Sequence, residues 1–142
     1  MNNAESGNIM KDVNECYDKL TEHASKAQLE PFLSYYHDSP DFLSFSADGK
    51  LSNYDQFKKA CSDYYNAIRE QLIVTAQKQV HVVEKDIVIV GWTGDIIATF
   101  KNGDIVKMKN YSITSVFKKI NNKWKVIHDH ESAPPAEIVK KE

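Results

Sequence analysis

The stretch TSVFKKINNKWKVIHDHES, Thr114 to Ser132, decides the reading of the fold. On either side of Asn121-Asn122 its side chains alternate with period two, the pattern of a half-buried strand. Asparagine tolerates the left-handed backbone of a two-residue hairpin turn, so Ile120 is expected opposite Lys123. Counting away from that turn puts Trp124, Val126, His128 and His130 on one face, across from Lys119, Phe117, Ser115 and Ile113. The other face then carries Lys125, Ile127, Asp129 and Glu131 with Lys118, Val116, Thr114 and Ser112. The first face is aromatic and apolar and is expected to meet the core. A one-residue bulge would invert the faces beyond it, exchanging His128 and His130 for Asp129 and Glu131.

Working outward, the chain from Leu72 to Ser132 is rich in Val, Ile, Thr and aromatics, interrupted by Glu84-Lys85-Asp86, Asn102-Gly103 and Asn121-Asn122. This predicts a four-strand antiparallel meander. With Phe100 opposite Ile105, Tyr111 comes toward Gly94 and Trp92 lies beside Ile113. Upstream, Ile9, Val13, Tyr17 and Leu20 recur at helical spacing, and Leu29, Phe32, Leu33 and Tyr36 form a second short run. Pro31 fits only a first helical turn, which places a break between Lys26 and Glu30. Phe42 to Phe45 reads as a short strand between Ser39-Pro40 and Asp48-Gly49 turns. Ser52 is expected to cap a third helix whose buried face holds Tyr54, Phe57, Ala60, Cys61, Tyr64 and Ile68. The fold class is α+β, with N-terminal helices packed in a strongly curved antiparallel sheet. Residues 1–8 are expected to be disordered, 9–132 to form one domain, and 133–142 to be a tail.

The composition, 142 residues with 42% hydrophobic and 11% aromatic, suits a single core. A net charge of -2 from 18 basic and 20 acidic residues gives a nucleic acid no electrostatic footing. No apolar run approaches the roughly 20 residues that span a bilayer, and MNNAESGNIMKD lacks the form of a signal peptide. No membrane partner and a cytoplasmic location are therefore expected. Cys16 and Cys61 are too few and too far apart for a disulfide framework or a zinc site.

Two imidazoles, a tyrosine and a serine on an apolar surface describe a small-molecule pocket. His128 and His130 invite a metal reading, but a metal needs further ligands, and His37 and His81 qualify only by residue type. A hydrogen-bonded histidine pair is the plainer account. Acid-base chemistry is the next reading, with Asp38 and Asp41 at the pocket mouth unless both are turn residues. Tyr36 and Tyr111 are the tyrosines best placed to line a cavity; the others fill core at helical spacing. No phosphate loop, nucleophile elbow or zinc knuckle is present.

The order of elements, ending in Trp124, His128, His130 and Ser132 at alternating positions, resembles the nuclear transport factor 2-like superfamily. Within it the chain is most similar to the small SnoaL-like and kinase association-domain-like proteins, over roughly residues 9–132 in topology. The resemblance implies a cone whose curved sheet wraps the helices around an apolar cavity, and a homodimer through the outer sheet face. It also implies that enzymes of the ketosteroid isomerase, scytalone dehydratase or polyketide cyclase kind move protons with Asp, His and Tyr and no cofactor or metal. Carried onto this chain, it makes His128, His130, Asp38, Asp41 and Tyr36 the catalytic candidates. Trp92, Tyr111, Ile113, Ser115, Phe117, Trp124 and Val126 become the ligand-binding wall. The local aspartate motif of the isomerases is not reproduced. The expected function is binding of a small apolar, carbonyl- or polyketide-like molecule, with isomerase, dehydratase or cyclase activity as its extension. The alternative is an assembly module with a vestigial pocket, whose contact surface is Ile97, Met108, Val116 and Ile127.

Overall fold

A computed structural model describes residues 1–140 and begins with a helix, α1 (Asn3–Ser25). The Asn2 side chain accepts the Glu5 N–H at 2.9 Å and caps the first turn, so the segment expected to be disordered is helical from Asn3 onward. Val13, Tyr17, Leu20 and Ala24 form its buried stripe. The helix ends in a Schellman motif: Gln28 N–H donates to His23 O at 3.0 Å and Ala27 N–H to Ala24 O at 3.1 Å. Ala27 takes the left-handed position at φ 55°, where glycine is the usual occupant. The break expected between Lys26 and Glu30 is this turn, and Pro31 sits in the short helix α2 (Leu29–Leu33) that follows.

The chain then runs beside the last long strand, with His37 N–H donating to Val126 O at 2.9 Å and Val126 N–H to Tyr35 O at 2.8 Å. A small hairpin, β1 (Leu43–Phe45) and β2 (Leu51–Ser52), leads into α3 (Tyr54–Ala67). The cap of α3 is Asn53 rather than Ser52. Asn53 and Gln56 form a reciprocal capping box at 2.9 and 3.0 Å. Phe57 and Tyr65 are its buried residues, while Ala60 is exposed.

The meander is β3 (Ile68–Glu84), β4 (Ile87–Phe100), β5 (Ile105–Ile120) and β6 (Lys123–Ser132), and it starts at Ile68, directly from α3. The sheet runs β2-β1-β6-β5-β4-β3, curved and unclosed, with β1 parallel to β6 and the other pairings antiparallel. A seventh strand, β7 (Glu137–Lys140), pairs with the first half of β5, in the segment expected to be a tail. Its place follows from β6, which stops opposite Ser112 and leaves Ile105 to Lys107 open on that edge. Lys109 and Glu137 hold the junction with an ion pair at 3.2 Å.

Register shifts in β3, β4–β5 and β5–β6 add local bends of the kind that curve a sheet. The helices pack on the concave face, over a core that includes Val13, Phe42, Val88, Val90, Phe117 and Val126. Each such fully buried side chain contributes about 1.5–3 kcal/mol relative to exposure. Met108 lies opposite Ile96 and so on this inner face, not on the outer surface where it was expected. No described helix is long and apolar enough to cross a membrane.

Candidate functional site

The hairpin at Asn121 (φ 52°) and Asn122 (φ 63°) pairs Ile120 with Lys123, Lys119 with Trp124 and Phe117 with Val126, as counting predicts. The next pair is Val116 with His128, so Ile127 is an extra residue in β6. Beyond it Ser115 faces Asp129, Thr114 faces His130 and Ile113 faces Glu131. The bulge exchanges the faces: Asp129 and Glu131 turn inward, and His128 and His130, expected inside, lie on the outer face. It falls where the other edge of β6 changes partner, from the Tyr35–His37 segment to β1.

Asp129 is 2% exposed and accepts a hydrogen bond from the Ser44 hydroxyl of β1, itself 2% exposed. Glu131 is half-buried beside it, and the Tyr111 hydroxyl donates to its Oε1 at 3.1 Å. Burial pushes the Asp129 carboxyl up to about 6, against the Ser44 hydrogen bond and the charges of His128 and His130. Burial pushes Glu131 further, to about 8, reinforced by the charge of Asp129 and opposed by the Tyr111 hydrogen bond. Burial thus favours the protonated form in both carboxyls, more strongly in Glu131.

Around the pair stand groups whose ionisation the same carboxylates suppress. Tyr36 is held well above its ordinary range, first by burial and then by Asp129. Burial and Glu131 push Tyr64 up to about 12, and they raise Tyr111 and the Cys61 thiol in the same way. Among the described residues no lysine or arginine is among the groups that shift Asp129 or Glu131; the imidazoles of His128 and His130 favour the charged form of Asp129. Among the described residues, no three His, Cys, Asp or Glu side chains converge as metal ligands would.

The residues expected to form the wall, Trp92, Tyr111, Ile113, Ser115, Phe117, Trp124 and Val126, all lie on the inner face. Tyr36 is buried and packs against Phe32, Phe57 and Phe42 at ring distances of 4.9, 4.8 and 6.2 Å. The remaining four candidates are elsewhere. His128 Nδ1 lies 2.8 Å from Leu43 O, and His130 is exposed and stacked on Phe45 at 4.7 Å. Asp38 and Asp41 are exposed in the loop before β1, where the Asp41 N–H donates to Ser39 Oγ at 3.2 Å as turn residues do. The structure adds Asp129, Glu131, Ser44, Tyr64 and Cys61 to the inner group. Only the alternation of imidazole and carboxylate in His128-Asp129-His130-Glu131 signalled that one titratable pair or the other must face inward.

Comparison with known proteins supports the architecture. The SnoaL-like domain family matches residues 13–137. A provisionally named scytalone dehydratase from Novosphingobium aromaticivorans superposes with a TM-score of 0.83 at 11% identity, over 98% of this chain and 93% of its own. A provisionally named dehydratase of the NTF2-like family from Streptomyces avermitilis gives 0.78 at 15%, over 90% and 97%. A hexachlorocyclohexane dehydrochlorinase (LinA, type 2) gives 0.77 at 10%, over 99% and 95%. At these identities the structures speak for the fold alone. A search of curated proteins gives no significant match. The match across residues 13–137 establishes that the chain belongs to the SnoaL-like domain family, with the fold of nuclear transport factor 2-like proteins.

Proposed function

We propose that the concave face binds a small, largely apolar organic molecule and that Asp129 and Glu131 move a proton on it without a cofactor. The observation that carries this reading is a pair of inward carboxyls on an apolar wall, Asp129 held by the Ser44 hydroxyl and Glu131 by that of Tyr111, where burial favours the protonated form. Such a pair combines a base and an acid in one place. The inner face is also graded in exposure. Val88, Val90, Phe117 and Val126 are fully buried, whereas Ile113, Tyr111, Glu131, Tyr64 and Cys61 keep partial access to solvent. That gradient supports an opening at the Glu131 end, with Tyr111 and Ile113 facing the apolar body of a ligand.

The names dehydratase and dehydrochlorinase denote eliminations, and the site suits one. Ionised Asp129 takes a proton from carbon, the C–H electron pair forms the new C=C bond, and protonated Glu131 delivers its proton to the departing oxygen, which leaves as water. Isomerisation of a carbonyl compound needs the same two groups in sequence. His128 and His130 then act only through Asp129, whose charge they favour from the outer face. A companion reading is the pairing of two copies through the outer sheet face. It is supported by Leu43, Leu72 and Val74, left 47%, 60% and 46% exposed on that face.

Three outcomes are expected. Deuterium exchange at acidic C–H positions of a panel of hydroxylated aromatic ketones, followed by NMR, should be catalysed by the wild-type protein and fall about 10²-fold or more in Asp129→Asn. The double replacement of His128 and His130 by Ala should leave it within a few-fold. Undiminished exchange in Asp129→Asn would remove Asp129 from the mechanism. The second outcome concerns stability against pH. The folded carboxyl of Glu131 binds its proton more tightly than the unfolded one, so its contribution is full below about pH 4.5 and is lost as pH rises toward about 8. Thermal melts should show Glu131→Gln gaining on the wild type across that window, by roughly 1–3 kcal/mol. A difference that does not change with pH counts against a raised Glu131. Third, sedimentation equilibrium should find a dimer that Leu72→Glu with Val74→Lys converts to monomer; a monomeric wild type ends the companion reading.

A further inference from the structure

β1 is three residues long, and β6 grips it on both of its faces. The two strands run parallel, with Leu43 opposite His128, Ser44 opposite Asp129 and Phe45 opposite His130. Inside, the Ser44 hydroxyl donates to Asp129 Oδ1. Outside, the two imidazoles take the residues on either side of Ser44. His128 Nδ1 lies 2.8 Å from Leu43 O, and His130 stacks on Phe45 at 4.7 Å with the two rings 28° apart. His128 also stands at 88° to the Phe45 ring, 6.4 Å away. A carbonyl can only accept, so Nδ1 carries a proton, and the bond holds in both the neutral and the charged ring. A three-residue parallel pair has few ladder bonds, and a slip of one residue would turn Ser44 to the outer face. Leu43, 47% exposed, gives little apolar anchorage there. On the outer side, the contacts that hold the register are those of the imidazole pair.

We propose that His128 and His130 are positioning residues that act through β1: they clasp Leu43 and Phe45 from outside and so hold the Ser44 hydroxyl on the Asp129 carboxyl inside. The alternation His128-Asp129-His130 then has a use on both faces, with the carboxyl in the site and the imidazoles locking the strand that supplies its donor. This role is separate from their charge, which also favours ionised Asp129. Its bearing on proton transfer rests on the function proposed above; the coupling of the outer clasp to the Asp129 carboxyl does not.

The test separates clasp from charge. Replacing both imidazoles by Ala removes both. His128→Asn with His130→Phe removes the charges alone, because an Asn amide can still donate to Leu43 O from the Nδ1 position and a Phe ring can still stack on Phe45. The Asp129 carboxyl is followed by carbon-13 NMR titration of the ligand-free protein, with Asp129→Asn identifying its signal. Glu131, Tyr17, Tyr36, Cys61 and Tyr111, the other titratable groups that sense Asp129, are the same in both pairs of replacements. The midpoint should lie about one pH unit higher in the Ala pair than in the Asn and Phe pair, because a loosened donor no longer favours the charged form. With Ser44→Ala added to each, the gap should close. Equal midpoints in the two pairs, or a gap that survives without the Ser44 hydroxyl, overturns the proposal. Should the Ala pair fail to fold, His130→Ala against His130→Phe makes the same comparison at an exposed position. A smaller gap of the same sign supports the clasp there, and no gap overturns it. A rise of that order from about 6 leaves Asp129 about half ionised at pH 7, so proton exchange slows only a few-fold while the lower limb of its pH profile moves. A gap seen by NMR in a protein that catalyses no exchange would remove the proposed function and keep the clasp.

Discussion

Between the pairs Phe117–Val126 and Val116–His128, β6 carries one residue more than β5, and that residue, Ile127, determines which titratable groups enter the core. Because the side chains of a strand alternate, a single insertion changes the face of everything after it. Here it separates an imidazole pair from a carboxyl pair. The imidazoles go to the outer face, where His128 meets Leu43 O and His130 stacks on Phe45. The carboxyls go to the inner face, among tyrosines, a thiol and the apolar wall. The chemistry available to the protein follows from that exchange.

Turning carboxyls inward costs stability, since burial without a counter-ion penalises the charged form. The structure offsets the cost by placement. Asp129, the more deeply buried, takes the Ser44 hydroxyl and has two imidazoles on the neighbouring positions of its strand. Glu131 takes the Tyr111 hydroxyl and otherwise holds its proton. A lysine or arginine in contact would have removed the strain and with it the difference between the two groups. With no lysine or arginine among the described residues to offset it, burial raises both carboxyls, Glu131 more than Asp129.

Much of this frame was legible from residue order. Asn121-Asn122 set the β5–β6 turn, and the Val13, Tyr17 and Leu20 stripe gave α1. The facing pairs Tyr111–Gly94 and Trp92–Ile113 were also counted correctly, though through two errors that cancel. The turn after Phe100 is one residue longer than a two-residue hairpin, so Thr99 meets Ile105, and an extra residue in β5 near Asn110 (φ 52°) restores the count. No such cancellation occurs in β6. Ile127 is an ordinary β-branched strand residue with no glycine or proline beside it, so nothing local marks the bulge. What favours it is the parallel partner on the other edge, β1, which is distant in sequence. The same holds for β7, which exists because β6 leaves half of β5 uncovered, and for Ser44, whose partner lies 85 residues away.

The central claim is a register, and a register is directly measurable. Cross-strand NOEs between β5 and β6 in uniformly labelled protein report which residues face each other. The bulge at Ile127 predicts contacts of Ser115 with Asp129 and of Ile113 with Glu131. Contacts of Ser115 with His128 and of Ile113 with His130 would restore the unbroken register, return the imidazoles to the interior and contradict the carboxyl site.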